Sequence, residues 1–524
     1  MTLEIIQHPD STFQELIDFK RDMRDENYHP SSFVISKEVS DGLLLFHTLT
    51  CEMVLARKGQ KDMFKDEYLR EHLFVVPESL DEKKLVKQYR TLRKMVDTGD
   101  GEDVTSSYTI MTTTDCNARC FYCYEKGRSR IPMTEETALK VTSLIERNYS
   151  RLPKRKKEVN LHWFGGEPLY NSKVMDLICI QLEKSSVSFK SNMTSNGYLF
   201  DEDTVQKAVN LWKLQKVQIT LDGTEAIYNR SKAFIYDNAS SPYRRVVRNI
   251  GLLLDAGIRV SVRLNLGLHN ADDLFALVRQ LSDMYGKRKG FGCYAHVLFE
   301  ESAGSGNVRQ TDESRRLVYE KLEQLESLMA DLGIKGKEAS LPKEVKLNWC
   351  MADNGKSILI APTGDIGLCE HYSEDHFISH IDSADAVDEE MVAKFRERRE
   401  EIELCSKCPI YPQCIRLKIC EESATCTPEK VENQVNQIKF AMVRTYEKYR
   451  AGKRNTICAK IIVFVTVLLG VGVIIYFRNP NYYLSFVGKL IHHNFSLRQG
   501  EGSPLGMSFF VFFAVSYVVG DFII

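Results

Sequence analysis

Neither charge is in excess in this 524-residue chain: 70 lysines and arginines face 71 aspartates and glutamates, for a net charge of −1. That balance excludes a dominant nucleic-acid-binding face and leaves room only for a local basic patch. Cysteine, at 14 residues, is too dilute for a secreted disulfide scaffold. No secretion signal opens the sequence: Met1 to Gln7 is mixed, and acidic residues follow at once. With 43% hydrophobic and 27% charged residues, the composition is ordinary and globular. It excludes disorder throughout, collagen-like repeats and a polytopic transporter. At ~100–200 residues per domain, the length suggests roughly three or four domains.

The cysteines that are present cluster. Cys116, Cys120 and Cys123 fall within eight residues, and seven more lie between Cys350 and Cys426. Clusters of this kind in a chain without a secretion signal point to metal ligands in a reducing compartment. Cys51, Cys179, Cys293 and Cys458 are isolated and read as small buried hydrophobes.

Residues 1–100 read as a small α+β module. Phe33–Ile35, Leu43–Phe46 and Met53–Ala56 are strand candidates; a charged helix near Lys61–His72, an apolar run Leu73–Pro77 and a helix from about Leu80 to Val96 follow. From residue 106 to 300, short apolar runs alternate with helix-length segments. The strands are expected at Tyr108–Thr112, Val159–Phe164, Val187–Thr194, Val217–Leu221, Ile258–Leu266 and Gly292–Phe299. Helices such as Glu135–Asn148 and Tyr243–Ala256 lie between them, with Gly257 capping the second. Strand–helix repetition implies an α/β fold with a parallel sheet. Six units are too few for a closed eight-fold barrel, so a partial (β/α)6 barrel, open on one side, is expected. Residues 301–345 form a bridging helical segment, 346–430 a cysteine-rich domain and 431–455 a helix. The basic run Arg151–Lys157 reads as a solvated loop.

Residues 456–524 differ. Ile461 to Phe477 is an unbroken apolar run of 17 residues, and Met507–Gly520 is a second, aromatic-rich run. A membrane span needs ~20 apolar residues, with ~17 at the low end. One or two C-terminal membrane helices are therefore expected. Lys453, Arg454 and Lys460 place the preceding chain on the cytoplasmic face of the membrane, although Arg478, Lys489 and Arg498 weaken that bias.

Thr114-Asp115-Cys116-Asn117-Ala118-Arg119-Cys120-Phe121-Tyr122-Cys123 follows the first barrel strand. It therefore lies at the strands' C-terminal mouth, where such folds place their chemistry. Three thiolates there can converge on one iron–sulfur cube. A [4Fe–4S] cluster normally takes four cysteines, so one iron is left for a ligand from outside the chain. Zinc wants paired cysteines or histidine partners, and no histidine stands near.

This spacing, with an aromatic before the third cysteine, resembles the radical S-adenosylmethionine (radical SAM) superfamily. The resemblance implies a [4Fe–4S] cluster on Cys116, Cys120 and Cys123 that binds S-adenosyl-L-methionine. One electron from a low-potential donor of the flavodoxin or ferredoxin type then yields a 5′-deoxyadenosyl radical, which takes a hydrogen atom from substrate. Gly165-Gly166-Glu167 after the second strand resembles the segment that contacts the methionine amino group. Two glycines permit close backbone approach, and Glu167 balances an ammonium. Ser195-Asn196 ends the third strand and resembles the ribose-contacting segment. Gln218 to Gly223, with Asp222, looks like an adenosine- or substrate-facing edge. Arg263 and Asn265 on the fifth strand are candidates for the methionine carboxylate and the ribose.

In the second block Cys350 is followed by 13 residues, Gly364, four residues and Cys369; then come Cys405, Cys408, Cys414, Cys420 and Cys426. This resembles the SPASM domain of radical SAM enzymes that modify peptides. The resemblance implies one or two auxiliary [4Fe–4S] clusters. Cys405, Cys408, Cys414 and Cys426 would hold the outer one, and Cys350, Cys369 and Cys420 the inner one. The family places a cysteine where Lys418 stands, and the inner set is one ligand short; water, a side chain or a substrate thiolate would complete it. The N-terminal module would then recognise the leader of a ribosomally made precursor peptide by adding it as a strand, with the Arg151–Lys157 run steering an acidic leader. The expected function is a peptide maturase, for example one installing a thioether or carbon–carbon crosslink. The rival is a formylglycine-forming sulfatase maturase, for which Asp353 or Asp365 would be the base. A membrane-tethered iron–sulfur electron carrier would have no need of Gly165–Glu167.

Overall fold

The computed structural model describes residues 3–16, 27–57, 65–98, 104–123, 125, 127, 129–154, 157–236, 241–298, 312–334, 340–345, 347, 350–372, 376–420 and 426–478, with 454–478 described by backbone alone. Met1–Thr445 is one compact unit and Tyr446–Ile524 a second.

The N-terminal module is an antiparallel sheet with helices beside it. Its elements are β1 (Leu3–Gln7), α1 (Ser11–Leu16), β2 (Tyr28–Pro30), β3 (Val34–Val39), β4 (Gly42–His47), β5 (Met53–Arg57), α2 (Glu67–Glu71), β6 (Val75–Pro77) and α3 (Glu82–Thr98). The sheet order is β1-β5-β4-β3, with β2 and β6 paired separately. The three expected strands are present; β1, far away in sequence, adds a fourth. The part of Lys61–His72 before residue 65 lies outside the described residues.

The barrel follows as β7 (Ser107–Met111), α4 (Glu135–Arg151), β8 (Val159–Phe164), α5 (Ser172–Lys184), β9 (Phe189–Ser195), α6 (Glu202–Asn210), β10 (Leu214–Thr220), α7 (Glu225–Lys232), α8 (Pro242–Asp255), β11 (Arg259–Leu266), α9 (Ala271–Tyr285) and β12 (Phe291–Val297). These six strands run in the order β12-β11-β10-β9-β8-β7, and each neighbouring pair is parallel. Local chemistry explains the boundaries. Thr134 caps α4 by accepting from the Thr137 N–H. Gly257, at φ +79°, turns the chain out of α8. Strand β8 alternates: Val159, Leu161 and Trp163 are buried in the main core, while Asn160, His162 and Phe164 point to the other face and stay partly open. One face of the sheet is thus covered by helices, and the other presents polar groups.

Helix α10 (Asp312–Asp331) bridges to the cysteine-rich block, which is more regular than its sequence suggests. Strands β13 (Ser357–Ile360), β14 (Asp365–Gly367) and β15 (Phe377–His380) extend the barrel sheet to nine strands. β13 pairs in parallel with β7, the strand that leads into the first cysteine motif. Gly364 turns the β13–β14 hairpin at φ +96°, and a Cβ there would stand 2.8 Å from Ile381. Helices α11 (Glu389–Arg396) and α12 (Pro428–Arg478) are the last of the described elements.

The N-terminal module packs against this block. Thr48 Oγ1 donates to Pro409 O at 2.6 Å, Gln413 Nε2 donates to Thr48 O at 2.8 Å, and Phe33 stacks on Tyr411 at 6.1 Å.

The expected C-terminal membrane segment gains no support. Among the described residues, no helix is long and apolar enough to cross a membrane. Ile461–Phe477 falls where the backbone alone is described, and Met507–Gly520 lies outside the described residues.

Candidate functional site

The first cysteine loop leaves β7 and is tied down at every turn. Cys116 N donates to Asp115 Oδ1 at 2.8 Å, and Cys123 N to Cys120 O at 3.3 Å. Arg119 N reaches Lys232 O at 2.8 Å, and Ile235 N reaches Asn117 O at 3.0 Å, so the segment after α7 clamps the loop. The cysteines are close enough to act on one another electrostatically. Burial pushes the Cys116 thiol up to about 12 and the Cys123 thiol up to about 11, with the neighbouring thiols adding to the rise. Such thiols give up their protons to a metal rather than to water.

The Gly165-Gly166 turn is seated on this loop. Gly165 has φ +126°, and a Cβ there would meet Thr113 O at 2.2 Å; one on Gly166 would meet Asp115 O at 2.4 Å. Gly166 N donates to Thr113 O and Glu167 N to Asp115 O, each at 3.0 Å. The glycines therefore admit the close approach of the cysteine loop's own backbone. Glu167 is fully buried. Its carboxylate accepts from Ser195 Oγ at 2.9 Å, Asn196 N at 2.7 Å and Leu169 N at 3.2 Å. Burial pushes its pKa up to about 7 against these donors. Asn196 Nδ2 donates to Asn117 Oδ1 at 2.6 Å and lies 3.8 Å from Cys116 Sγ. Glu167, Ser195 and Asn196 thus join the second and third strand ends to the cysteine loop.

Arg263 and Asn265 are paired, Nε to Oδ1 at 2.9 Å, and Arg263 Nη2 lies 3.2 Å from His296 Nδ1. Asn265 also bonds the Tyr122 hydroxyl. Beside it is a network that sequence reasoning missed. Tyr122 OH donates to Asp222 Oδ2 at 2.6 Å, Lys232 Nζ donates to Tyr122 OH at 2.6 Å, and Lys232 pairs with Asp222 at 3.2 Å. Both charged side chains are at most 4% exposed. Burial would lower the Lys232 pKa, but Asp222 and the Cys120 thiol outweigh it and hold the pKa up. Nothing in the sequence marks Lys232; it is one basic residue at the end of an ordinary helix.

The second block brings its cysteines together in two sets. Cys405, Cys408, Cys414 and Cys426 line one hollow of about 250 Å3, open mouth included. Cys350, Cys369 and Cys420 act on one another electrostatically and are joined by Glu370. All thirteen described cysteines are free thiols. Cys51, Cys179 and Cys293 are fully buried apart from the clusters. Among the described residues, no three Cys, His, Asp or Glu side chains converge on a single metal ion. A cluster's cysteines each bind a different iron, so they stand farther apart than one ion's ligands. Of the two bases named for the rival reaction, Asp353 accepts from Arg398 at 2.7 Å and Asp365 from Thr363 at 2.5 Å.

Residues 110–281 match the family model described as the Radical SAM superfamily. With the three-cysteine loop on a parallel partial barrel, this identifies a radical SAM enzyme domain over these residues. The solved structure of native anSMEcpe with bound AdoMet is similar at TM-score 0.50 and 14% identity, covering 66% of this chain and 99% of that one. At that identity the likeness is one of fold. Streptococcus suis SuiB bound to S-adenosylmethionine shares 14% identity at TM-score 0.46, covering 76% of this chain and 97% of that one. No curated protein sequence matches the chain.

Proposed function

We propose that this radical SAM enzyme is a maturase of a ribosomally made peptide and carries auxiliary iron–sulfur clusters beside its first one. The observation that supports this reading is the second cysteine block: β13 pairs with β7, Cys350 and Cys369 pack against the barrel core, and Cys405 and Cys408 pack with the N-terminal module. The first cluster would be held by Cys116, Cys120 and Cys123, the outer auxiliary one by Cys405, Cys408, Cys414 and Cys426, and the inner one by Cys350, Cys369 and Cys420. The donor sets suit such groups: soft thiols, free and gathered in desolvated surroundings. When bound and reduced, the first cluster with S-adenosylmethionine supplies a radical that removes a hydrogen atom from substrate.

The chain's own residues hold geometry around that chemistry. Glu167 and Asn196 fix the loop against two strand ends. Gly165, Gly166, Glu167, Ser195, Asn196, Arg263 and Asn265 are the proposed S-adenosylmethionine contact set. Polar groups on the open face of the sheet, among them His162, Gln218, Tyr294 and His296, would meet the peptide. Strand β3 is an edge of its sheet and would accept a leader as an added strand. A low-potential flavodoxin- or ferredoxin-type donor would supply the electron. The apolar run Ile461–Phe477 would tether the enzyme to the cytoplasmic face of a membrane; the tether fails if the full-length protein stays soluble after membrane pelleting.

The test is anaerobic. Reconstituted protein should carry about twelve irons and release 5′-deoxyadenosine from S-adenosylmethionine and dithionite. The Cys116/Cys120/Cys123→Ala variant should lose about four irons and all of that product. Four irons in the wild type would remove the auxiliary clusters from the reading. A candidate precursor peptide that gains no mass change under turnover would remove the maturase.

A further inference from the structure

The hollow lined by Cys405, Cys408, Cys414 and Cys426 is also lined by two guanidinium groups, those of Arg399 and Arg416. Arg416 is 8% exposed. Its Nε has no hydrogen-bond partner among the described residues, and neither does Arg399 Nε; Arg416 Nη1 makes only an ion pair, with Glu401 at 3.3 Å. A buried donor left unpaired costs about 1–3 kcal/mol, and more when charged. Two arginines with unspent donors at one cavity are an incomplete arrangement until something that accepts hydrogen bonds sits there.

A third arginine stands behind them. Arg90, on α3 of the N-terminal module, donates through Nη2 to the carbonyls of Tyr411, Pro412 and Cys414 at 3.2, 2.9 and 2.7 Å. Arg399 and Arg416 thus line the hollow of the four thiols, and Arg90 holds the Cys414 backbone beside it. Glu401 offsets part of this charge, 3.3 Å from Arg416 Nη1, but it is shared with Lys83 and Lys87. The surroundings of the four thiols are therefore cationic on balance, and part of that wall comes from residues more than 300 positions away.

We propose that Arg399 and Arg416, backed by Arg90, form a cationic collar that donates hydrogen bonds to an iron–sulfur cluster on these four cysteines and raises its reduction potential. This rests on the reading of the four cysteines as cluster ligands. A four-iron cluster with four thiolates carries two negative charges when oxidised and three when reduced. One electron enters from a low-potential donor; no bond breaks and no proton moves. Buried positive charge and N–H donors favour the more negative state. The arginines touch the cluster's surroundings and not the substrate, so they are positioning residues. The N-terminal module, through Arg90, is a wall of the cluster site as well as a separate sheet.

The experiment is a redox titration followed by electron paramagnetic resonance on full-length, reconstituted protein, with dithionite as reductant. The outer cluster's signal is identified by its loss, with about four irons, in Cys408→Ala. In Arg416→Gln and Arg399→Gln the iron content should hold. The reduction equilibrium should shift about tenfold toward the oxidised form, which is about 59 mV more negative for a one-electron couple. Arg416→Lys, which keeps the charge, should shift less. Unmoved midpoints with iron retained would overturn the collar. Loss of iron in both Gln variants would overturn it too, because the arginines would then be structural. If Arg416→Gln alone sheds iron, Arg399→Gln decides, since the Arg399 bond to Arg416 O uses only backbone. A Cys408→Ala variant that keeps all its iron would sink the cluster reading itself, a failure distinct from the collar's.

Discussion

The two cysteine regions use the same thiols in opposite surroundings. At the barrel mouth, three cysteines sit beside a buried carboxylate, Glu167, and one lysine that is already spent on Asp222 and Tyr122. In the second block, four cysteines sit beside two arginines whose Nε donors have no partner among the described residues. On the proposed reading, the first arrangement would leave a ligand position open and keep acidic groups for a cationic guest. The second would close its thiol set and favour added negative charge. Cysteine count and local charge together would then separate a site built to bind something else from a site built to hold its own cluster.

The comparison breaks first at Lys232. Replacing it with Met strands the buried Asp222 carboxylate, at a cost of about 3–5 kcal/mol. Chemical denaturation should show that loss, and a Lys232→Met/Asp222→Asn double variant should recover much of it. A neutral single variant would mean that the first loop does not depend on its buried pair. The next effect sharpens the account of the glycines. Gly166→Ala pushes a methyl group into Asp115 O, and overpacking of this kind costs about 1–3 kcal/mol. S-adenosylmethionine cleavage should fall with it, while iron in the second block stays constant. Equal loss from both regions would show that the strain is not local to the first loop.

The smallest effect concerns the module that walls the second site. His47 is buried there, and desolvation lowers its pKa to about 3 from an ordinary 6.5. Between those values the unfolded chain takes a proton that the folded one refuses, so stability is full above about pH 6.5 and falls as the pH drops toward 3. Thermal melts should show this slope, and His47→Gln should flatten it. An unchanged slope would shift the acid sensitivity to other groups.

Much of the barrel was legible in the sequence. Strand β8 runs over Val159–Phe164, as its short apolar run implied, and Gly257 ends α8. These signals are local: period-two burial, a cap, a left-handed glycine. The strands of the cysteine-rich block were not legible. β13, β14 and β15 have three or four residues each, too few for periodicity to register, and they exist because β7 offers an edge to pair with. The site divides the same way. The three thiols and Glu167 could be read from spacing. Lys232, Arg90, Arg399 and Arg416 could not, because a basic residue on a helix or loop looks alike whether it faces water or a buried thiol.

By itself, the sequence determined which atoms could ligate metal, how many ligands each set offers, and that strands and helices alternate between them. Those properties belong to residue type and near-neighbour spacing. Only the tertiary structure decided that the Gly165-Gly166 turn closes on the cysteine loop, that Asp222 and Lys232 meet behind it, and that Arg90 reaches across from the N-terminal module. Each of these depends on burial and on pairs far apart in the chain. In a low-dielectric interior the strength of a charge is set by what surrounds it, not by its place in the sequence.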